Sequence, residues 1–285
     1  MDDRLSYAYG VLRPGASPQD DALTGVLGVA DLVGVADAPV TLVRHGDLAA
    51  AVSPVPGADF SEAALKAHLE DLDWLENVAR AHHHVIETLG ARGTVLPLRL
   101  ATVYLDDTRV SDMLVEREQT LAALLDRLAD HVEWGVKVYA DTSSPAARPS
   151  PPSPPDSAAD EPDPGRAYLR QRRQQRHARE DAWSSAAETV RRIEGRAATL
   201  AVARARHRPQ QGRLAGTSGE NIANDAYLVP RDRGQEFRER VLDAAEGLPG
   251  VRVEVTGPWV PYSFAQEPQT QGADPGADAE GARQR

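Results

Sequence analysis

Val253-Glu-Val-Thr-Gly-Pro-Trp-Val-Pro-Tyr-Ser-Phe264 is the stretch on which the reading of this chain turns. Val251, Val253 and Val255 alternate with Arg252, Glu254 and Thr256, the period-two pattern of a half-buried strand. Gly257-Pro258 is expected to stop that strand, because glycine frees φ and proline removes a donor from the ladder. Beyond it Trp259, Tyr262 and Phe264 ride on a backbone stiffened by Pro258 and Pro261, and their rings each gain roughly 1.5–3 kcal/mol only if they are buried. The arm therefore needs a surface to lie on. Docking on its own protein is favoured over waiting for a partner, since a free chain exposing three aromatics would be prone to aggregate.

A closing strand implies a sheet upstream, and the elements come in a repeated order. In the first half, Leu5 to Arg13 reads as a strand ending at Pro14-Gly15, and a short helical or irregular piece spans about Asp20 to Leu32. Val40–Arg44 and Leu48–Val52 flank His45-Gly46-Asp47 as a hairpin. Ser61 is placed to cap a helix, in one or two pieces, that carries Leu65, Leu69, Leu72 and Leu75 and stops at Gly90 and Gly93. Thr94 to Tyr104 is strand-like but broken by Pro97, and a helix capped by Asp107 or Thr108 runs to about Asp130.

The second half repeats this: a strand over Trp134–Ala140, a proline-rich insertion over 143–165, and a helix from Ala167 to about His207. Trp183, Ala187, Val190, Ile193, Ala197 and Leu200 form the apolar stripe of that helix, and Gly195 is a possible bend. A hairpin of Leu214–Thr217 with Ile222–Val229, a helix over Arg231–Glu246 and the strand from Val251 complete the half. Strand, helix, hairpin, helix, strand is the split βαβ order. The expected fold is α+β: two tandem ferredoxin-like domains, 1–131 and 132–265, with a long helix in the second and a disordered tail over 266–285.

Composition narrows the function. At 285 residues with 41% hydrophobic content, the chain can bury two modest cores. It has no cysteine, which excludes disulfides, thiolate metal sites and cysteine nucleophiles. Apolar runs are interrupted within about ten residues, too short for the roughly 30 Å of a bilayer core, and Met1-Asp2-Asp3-Arg4 lacks the features of a signal peptide, so a cytoplasmic protein is expected. The net charge of -11 argues against a general nucleic-acid binder. Yet 13 arginines face four acidic residues between Arg166 and Arg213, a run read as a solvated helix face.

Reaction chemistry is hard to find. There is no P-loop, no His-Glu-x-x-His and no Gly-x-Ser-x-Gly. Gly212, Gly216 and Gly219 precede a strand instead of opening a helix, so no helix N-terminus faces a phosphate there. His82-His83-His84, with His68 upstream, is the best metal candidate, but consecutive helical residues point about 100° apart and cannot share an ion. Asp106 and Asp107 read as caps. Arg99, in the apolar Leu96-Pro-Leu-Arg-Leu100, is expected to pair with a carboxylate such as Glu133. No catalytic, cofactor or metal residue is assigned. The partner-binding or structural candidates are Arg99, Trp259, Tyr262 and Phe264.

Several segments taken together resemble the GvpL/GvpF family of gas vesicle proteins: Tyr7-Ala-Tyr-Gly-Val11, Leu48-Ala-Ala-Ala-Val-Ser-Pro-Val55, Val95-Leu-Pro-Leu-Arg-Leu-Ala-Thr-Val-Tyr104, Glu133-Trp-Gly-Val-Lys137, Asn224-Asp-Ala-Tyr-Leu-Val229 and Thr256-Gly-Pro-Trp-Val-Pro-Tyr-Ser-Phe264. Asp225 departs from the family pattern by interrupting an otherwise apolar strand, and the proline insertion is long. The resemblance implies a ferredoxin-related α+β protein without enzymatic activity. It further implies an accessory or minor component of vesicle assembly that contacts the hydrophobic shell protein and other accessory proteins. The alternative is a nucleic-acid-binding protein with tandem RRM-like domains. The strands, however, lack the interleaved aromatics that stack bases.

Overall fold

A computed structural model describes residues 4–14, 31–68, 70–141, 164–209 and 219–266. The first half builds β1 (Arg4–Leu12), β2 (Thr41–His45) and β3 (Leu48–Pro56), then α1 (Gly57–Phe60), α2 (Glu62–His68) and α3 (Leu72–Gly90). β4 (Val95–Pro97), β5 (Val103–Tyr104), α4 (Asp107–Glu116) and α5 (Glu118–Leu128) follow. The sheet order is β2-β3-β1-β4, with β5 also on β1, and every pairing is antiparallel. That is the strand order of a split βαβ sheet.

A bulge in β1 decides which side chains face where. The register with β3 shifts between Ala8 and Gly10. One extra residue reverses the alternation, so Ala8 and Val11 share a face although they are three apart. Tyr7, Tyr9 and Leu12 take the other face, against Val78, Val85, Ile86 and Leu89 of α3. The face of Ala8 and Val11 is covered by α4 and α5 through Val110, Leu114, Leu121, Leu125 and Leu128.

The second half is β6 (His131–Ala140), α6 (Pro164–Ala197), β7 (Ala203–His207), β8 (Glu220–Pro230), α7 (Gly234–Leu242) and β9 (Val251–Trp259). Its antiparallel order, β7-β8-β6-β9, is again that of a split βαβ sheet. Tyr227, Val229, Trp134 and Val138 pack against Ile193 of α6 and Phe237 of α7. The opposite side of β8, Ala226 and Leu228, joins the α4–α5 cluster of the first half, so one apolar core runs between the two sheets.

Several expectations are corrected by packing. The long helix ends at Ala197, not near His207, because Leu200 and Ala201 fold their amides back to the Ala197 carbonyl. Ala203 and Ala205 then alternate with Arg204 and Arg206 in β7, a period-two signal hidden inside a basic run. This strand takes the place assigned to Leu214–Thr217, which lies outside the described residues, as do most of the proline insertion, the piece near Asp20 and the tail from residue 267. The buried stripe of α6 agrees with the expected one at Ile193 and Ala197, with Leu200 buried just beyond, but before them it runs through Ala182, Ala186 and Thr189, one position earlier than expected, so Trp183 sits at its exposed margin with Nε1 donating to Glu220 at 3.2 Å. The helix runs unbroken through Gly195. In the first half, Asp71 caps α3 at the Trp74 amide and Asp106 caps α4 at the Arg109 amide, 3.0 and 2.9 Å away.

Candidate functional site

The terminal arm joins the two halves. β9 does not stop at Gly257-Pro258: its pairing with β6 shifts register there and resumes at Trp259 opposite Glu133. Gly257 sits at φ 128°, and a Cβ there would lie 2.8 Å from the Glu133 carbonyl, so only glycine fits this crossing of the Trp134 ring. The chain then passes over the end of α3. A Cβ at Gly90 would lie 2.5 Å from Cγ2 of Val260, so the helix terminus is hollowed to receive the arm.

Each ring has a different fate. Phe264 is 4% exposed and inserts into the core shared by the two sheets. Tyr262 lies against His83 of α3, ring centroids 6.1 Å apart, and burial pushes its phenol far above the ordinary value. Trp259 remains 41% exposed, 6.0 Å from the His83 ring. Between them the Ser263 amide donates to Glu133 at 2.8 Å and its hydroxyl to the other carboxylate oxygen at 2.7 Å. Burial raises the Glu133 carboxyl above its usual range, against the pull of both Ser263 bonds. His207 of β7 completes the clasp, its Nε2 3.1 Å from the Ser263 hydroxyl. Since that hydroxyl already donates to Glu133, the imidazole is the donor.

Beside the arm lies a groove of about 240 Å³, bordered by Gly90 and Gly93 at the end of α3, Leu128, Val132, Trp259 and Pro261, with Glu87, His131 and Arg231 also on its walls. Gly93 has open space where its side chain would be, with nothing within 4 Å of an added Cβ. The groove offers apolar contact with an exposed indole and a few charged groups, the composition of a binding surface.

The remaining candidates resolve differently. Arg99 is not in a strand: it lies exposed in the turn between β4 and β5, and the Glu133 carboxylate expected to meet it is held by Ser263. The turn is fixed from below, where the Ala101 amide donates to the Tyr7 hydroxyl at 3.0 Å. His82 is buried with Nδ1 3.0 Å from that hydroxyl, His83 pairs with Glu87, and His68 stacks on Trp74. The histidines therefore point apart, and among the described residues no group of three or more His, Asp or Glu side chains is placed to hold a metal. Asp225 is neutralised by Arg204 from the neighbouring strand at 2.8 Å, with Arg204 also on Glu194 at 2.7 Å. The Ser263–Glu133 clasp was missed in the sequence. Its available signal was Glu133 itself, a half-buried carboxylate between the buried Val132 and Trp134 of β6.

Two antiparallel split βαβ sheets sharing a core and closed by a C-terminal arm define a tandem ferredoxin-like α+β protein, and among its described residues no helix is long and apolar enough to cross a membrane. The chain belongs to the GvpL/GvpF family: the sequence profile described as "Gas vesicle synthesis protein GvpL/GvpF" matches residues 5–266. It is 46% identical over 263 residues to gas vesicle protein L of Streptomyces sp. (strain CB03234), covering 92% of this chain and 93% of that one. It is 28% identical over 267 residues to gas vesicle protein F of the same strain, covering 92% and 99%. Its fold matches the crystal structure of GvpF from Anabaena sp. PCC7120, TM-score 0.61 at 18% identity over 95% of this chain and 100% of that one. The Microcystis aeruginosa GvpF structure matches with a TM-score of 0.59 at 17% identity, over 92% and 99%.

Proposed function

We propose that this gas vesicle protein acts during assembly as a non-enzymatic accessory or minor structural component, receiving an apolar segment of the vesicle's hydrophobic shell protein in the groove beside the terminal arm. The observation that carries this reading is the division of labour along the arm. Phe264 and Val260 are spent on holding the arm to its own protein, while Trp259 stays exposed at the rim of an apolar groove. An assembling shell protein must keep apolar surface from water before it finds its neighbours, and a docked arm can offer a rigid aromatic without exposing all three rings. Arg99, exposed on the turn that Tyr7 holds, is a second candidate contact on the α3 side of the first sheet. Other accessory proteins of the vesicle are further candidate partners. Against the RNA-binding alternative stands the covered state of the first sheet: α3 lies on one face and α4 with α5 on the other, leaving no open platform for stacked bases.

Co-purification with the purified shell protein tests this. Trp259→Ala and, separately, Gly93→Phe are expected to lose at least tenfold in capture, while their denaturant midpoints stay near the parent's, because the indole is exposed and Gly93 faces open space. Equal capture by parent and both variants removes the groove from the reading. No capture by the parent removes the shell protein as its partner.

A further inference from the structure

Two surfaces outside the arm carry opposite, uncompensated charge, each around an exposed leucine. The first is the N-terminal half of α6. Residues 168–181 are exposed on nearly every side, and the helix reaches the second sheet only in its later half, from Ala182 on. Arg179 is tied to Glu220 and Arg172 lies over Tyr168, but Arg170, Arg173 and Arg176 meet no carboxylate among the described residues. At spacings of three and four they share one broad face with Leu169, which is 65% exposed, and Tyr168 beside it is 57% exposed. A stalk about 20 Å long at 1.5 Å per residue thus projects with positive charge and no partner.

The second surface is the corner where α1, α2 and α3 meet. Asp59, Glu70 and Asp73 are exposed and have no cationic partner among the described residues, whereas Glu62 and Glu76 are matched by Lys66 and Arg80. Phe60 against Trp74, ring centroids 5.4 Å apart, sets the Asp59 turn beside the start of α3. Leu72, in the middle of these acids, is 75% exposed, and with Leu169 it is among the most exposed large apolar side chains described. α6 packs on β6, β8, β9 and α7, this corner belongs to the first sheet's α3 side, and among the described residues no ion pair joins the two surfaces.

We infer that the basic stalk of α6 docks on the acidic α1–α3 corner of a second copy of this chain. Three free arginines face three free carboxylates, and an exposed leucine sits at the centre of each patch to be covered. The contact is head-to-tail, since different surfaces of the two molecules meet. Such contacts close into rings or run on as filaments. They are also weakened by salt, because the charges are exposed. The inference does not depend on the groove or on the shell protein.

Sedimentation velocity of the full chain tests it. In about 20 mM salt the weight-average mass should rise with concentration to at least twice the monomer's, and in about 0.5 M salt it should return to the monomer's. Arg170→Glu with Arg173→Glu and Arg176→Glu should be monomeric in both conditions, as should Asp59→Lys with Glu70→Lys and Asp73→Lys. Mixing the two reversed variants should restore association, because each then supplies the complement of the other. Far-ultraviolet circular dichroism equal to the parent's shows that the variants are folded. A parent that stays monomeric in low salt, reversed variants that associate alone as the parent does, or a mixture that does not associate overturns the inference. Low-salt association only with an added acidic polypeptide or RNA assigns the stalk to that partner and overturns it equally.

Discussion

His82 shows how a single buried side chain makes the first half pH-sensitive. It lies in the aromatic core with Tyr7, Tyr9 and Phe60, and with the Ala101 amide already on the Tyr7 oxygen, the phenol hydrogen goes to Nδ1. Nε2, turned toward the Leu98 backbone, then has no well-formed hydrogen bond. Burial, with a smaller contribution from His83, lowers its pKa from 6.5 to about 4. The unfolded chain therefore binds the proton first. Stability from neutral His82 is complete above about pH 6.5 and is lost as pH falls toward 4. The expected loss is about 2–3 kcal/mol at 1.36 kcal/mol per pH unit. Denaturant midpoints at pH 7 and pH 4.5 should show it, and His82→Leu should flatten the difference. An unchanged pH dependence in that variant would assign the effect to other groups. In the sequence the three histidines look alike, because helical spacing separates their directions but does not say which direction is the core.

At the scale of elements, the arm is an extended segment that borrows a helix end. Gly90 is the last residue of α3, with Ala91 in the C-cap position, and its missing side chain leaves the room that Val260 fills. Gly90→Ala places a methyl where Val260 Cγ2 stands and should cost roughly 1–3 kcal/mol by overpacking. Val260→Ala made in that background should recover part of the loss, a coupling of at least about 0.5 kcal/mol in a double-mutant cycle. Strictly additive effects would mean that the arm does not rest on Gly90. The helix stop at Gly90 was legible as a glycine after an apolar period. Its second role was not, since Val260 is far away in sequence and only the turn of the chain after β9 brings it over.

For the whole molecule, we propose that the two halves, 1–131 and 132–265, are domains by topology but one unit by stability. Ala226, Leu228 and Phe264 from the second half share a core with Val11, Leu96, Leu114 and Leu125 from the first. Calorimetry should give a single transition, and tryptophan fluorescence and circular dichroism should report the same midpoint. Phe264→Ala removes the ring between the sheets, should cost about 3–5 kcal/mol, and should separate the transitions. Two well-resolved transitions in the parent would show that the shared core contributes little.

The sequence by itself determined most of the element types, though not β7 inside the basic run, together with the repeated split βαβ order, the family and the need of the last aromatics for a surface. Each of these follows from local periodicity, turn chemistry or the order of short motifs along the chain. Only the tertiary structure decided that Asp225 is paired by Arg204, that Glu133 is held by Ser263 and not by Arg99, and that of three similar rings Phe264 is buried while Trp259 is left outside. A strand read along the chain shows which residues alternate, but not which neighbour is laid beside it or which face the second sheet covers. Those outcomes depend on register and on chain crossings such as the one at Gly257, where the absence of a side chain lets β9 bend across Trp134 and carry the arm over to the other half.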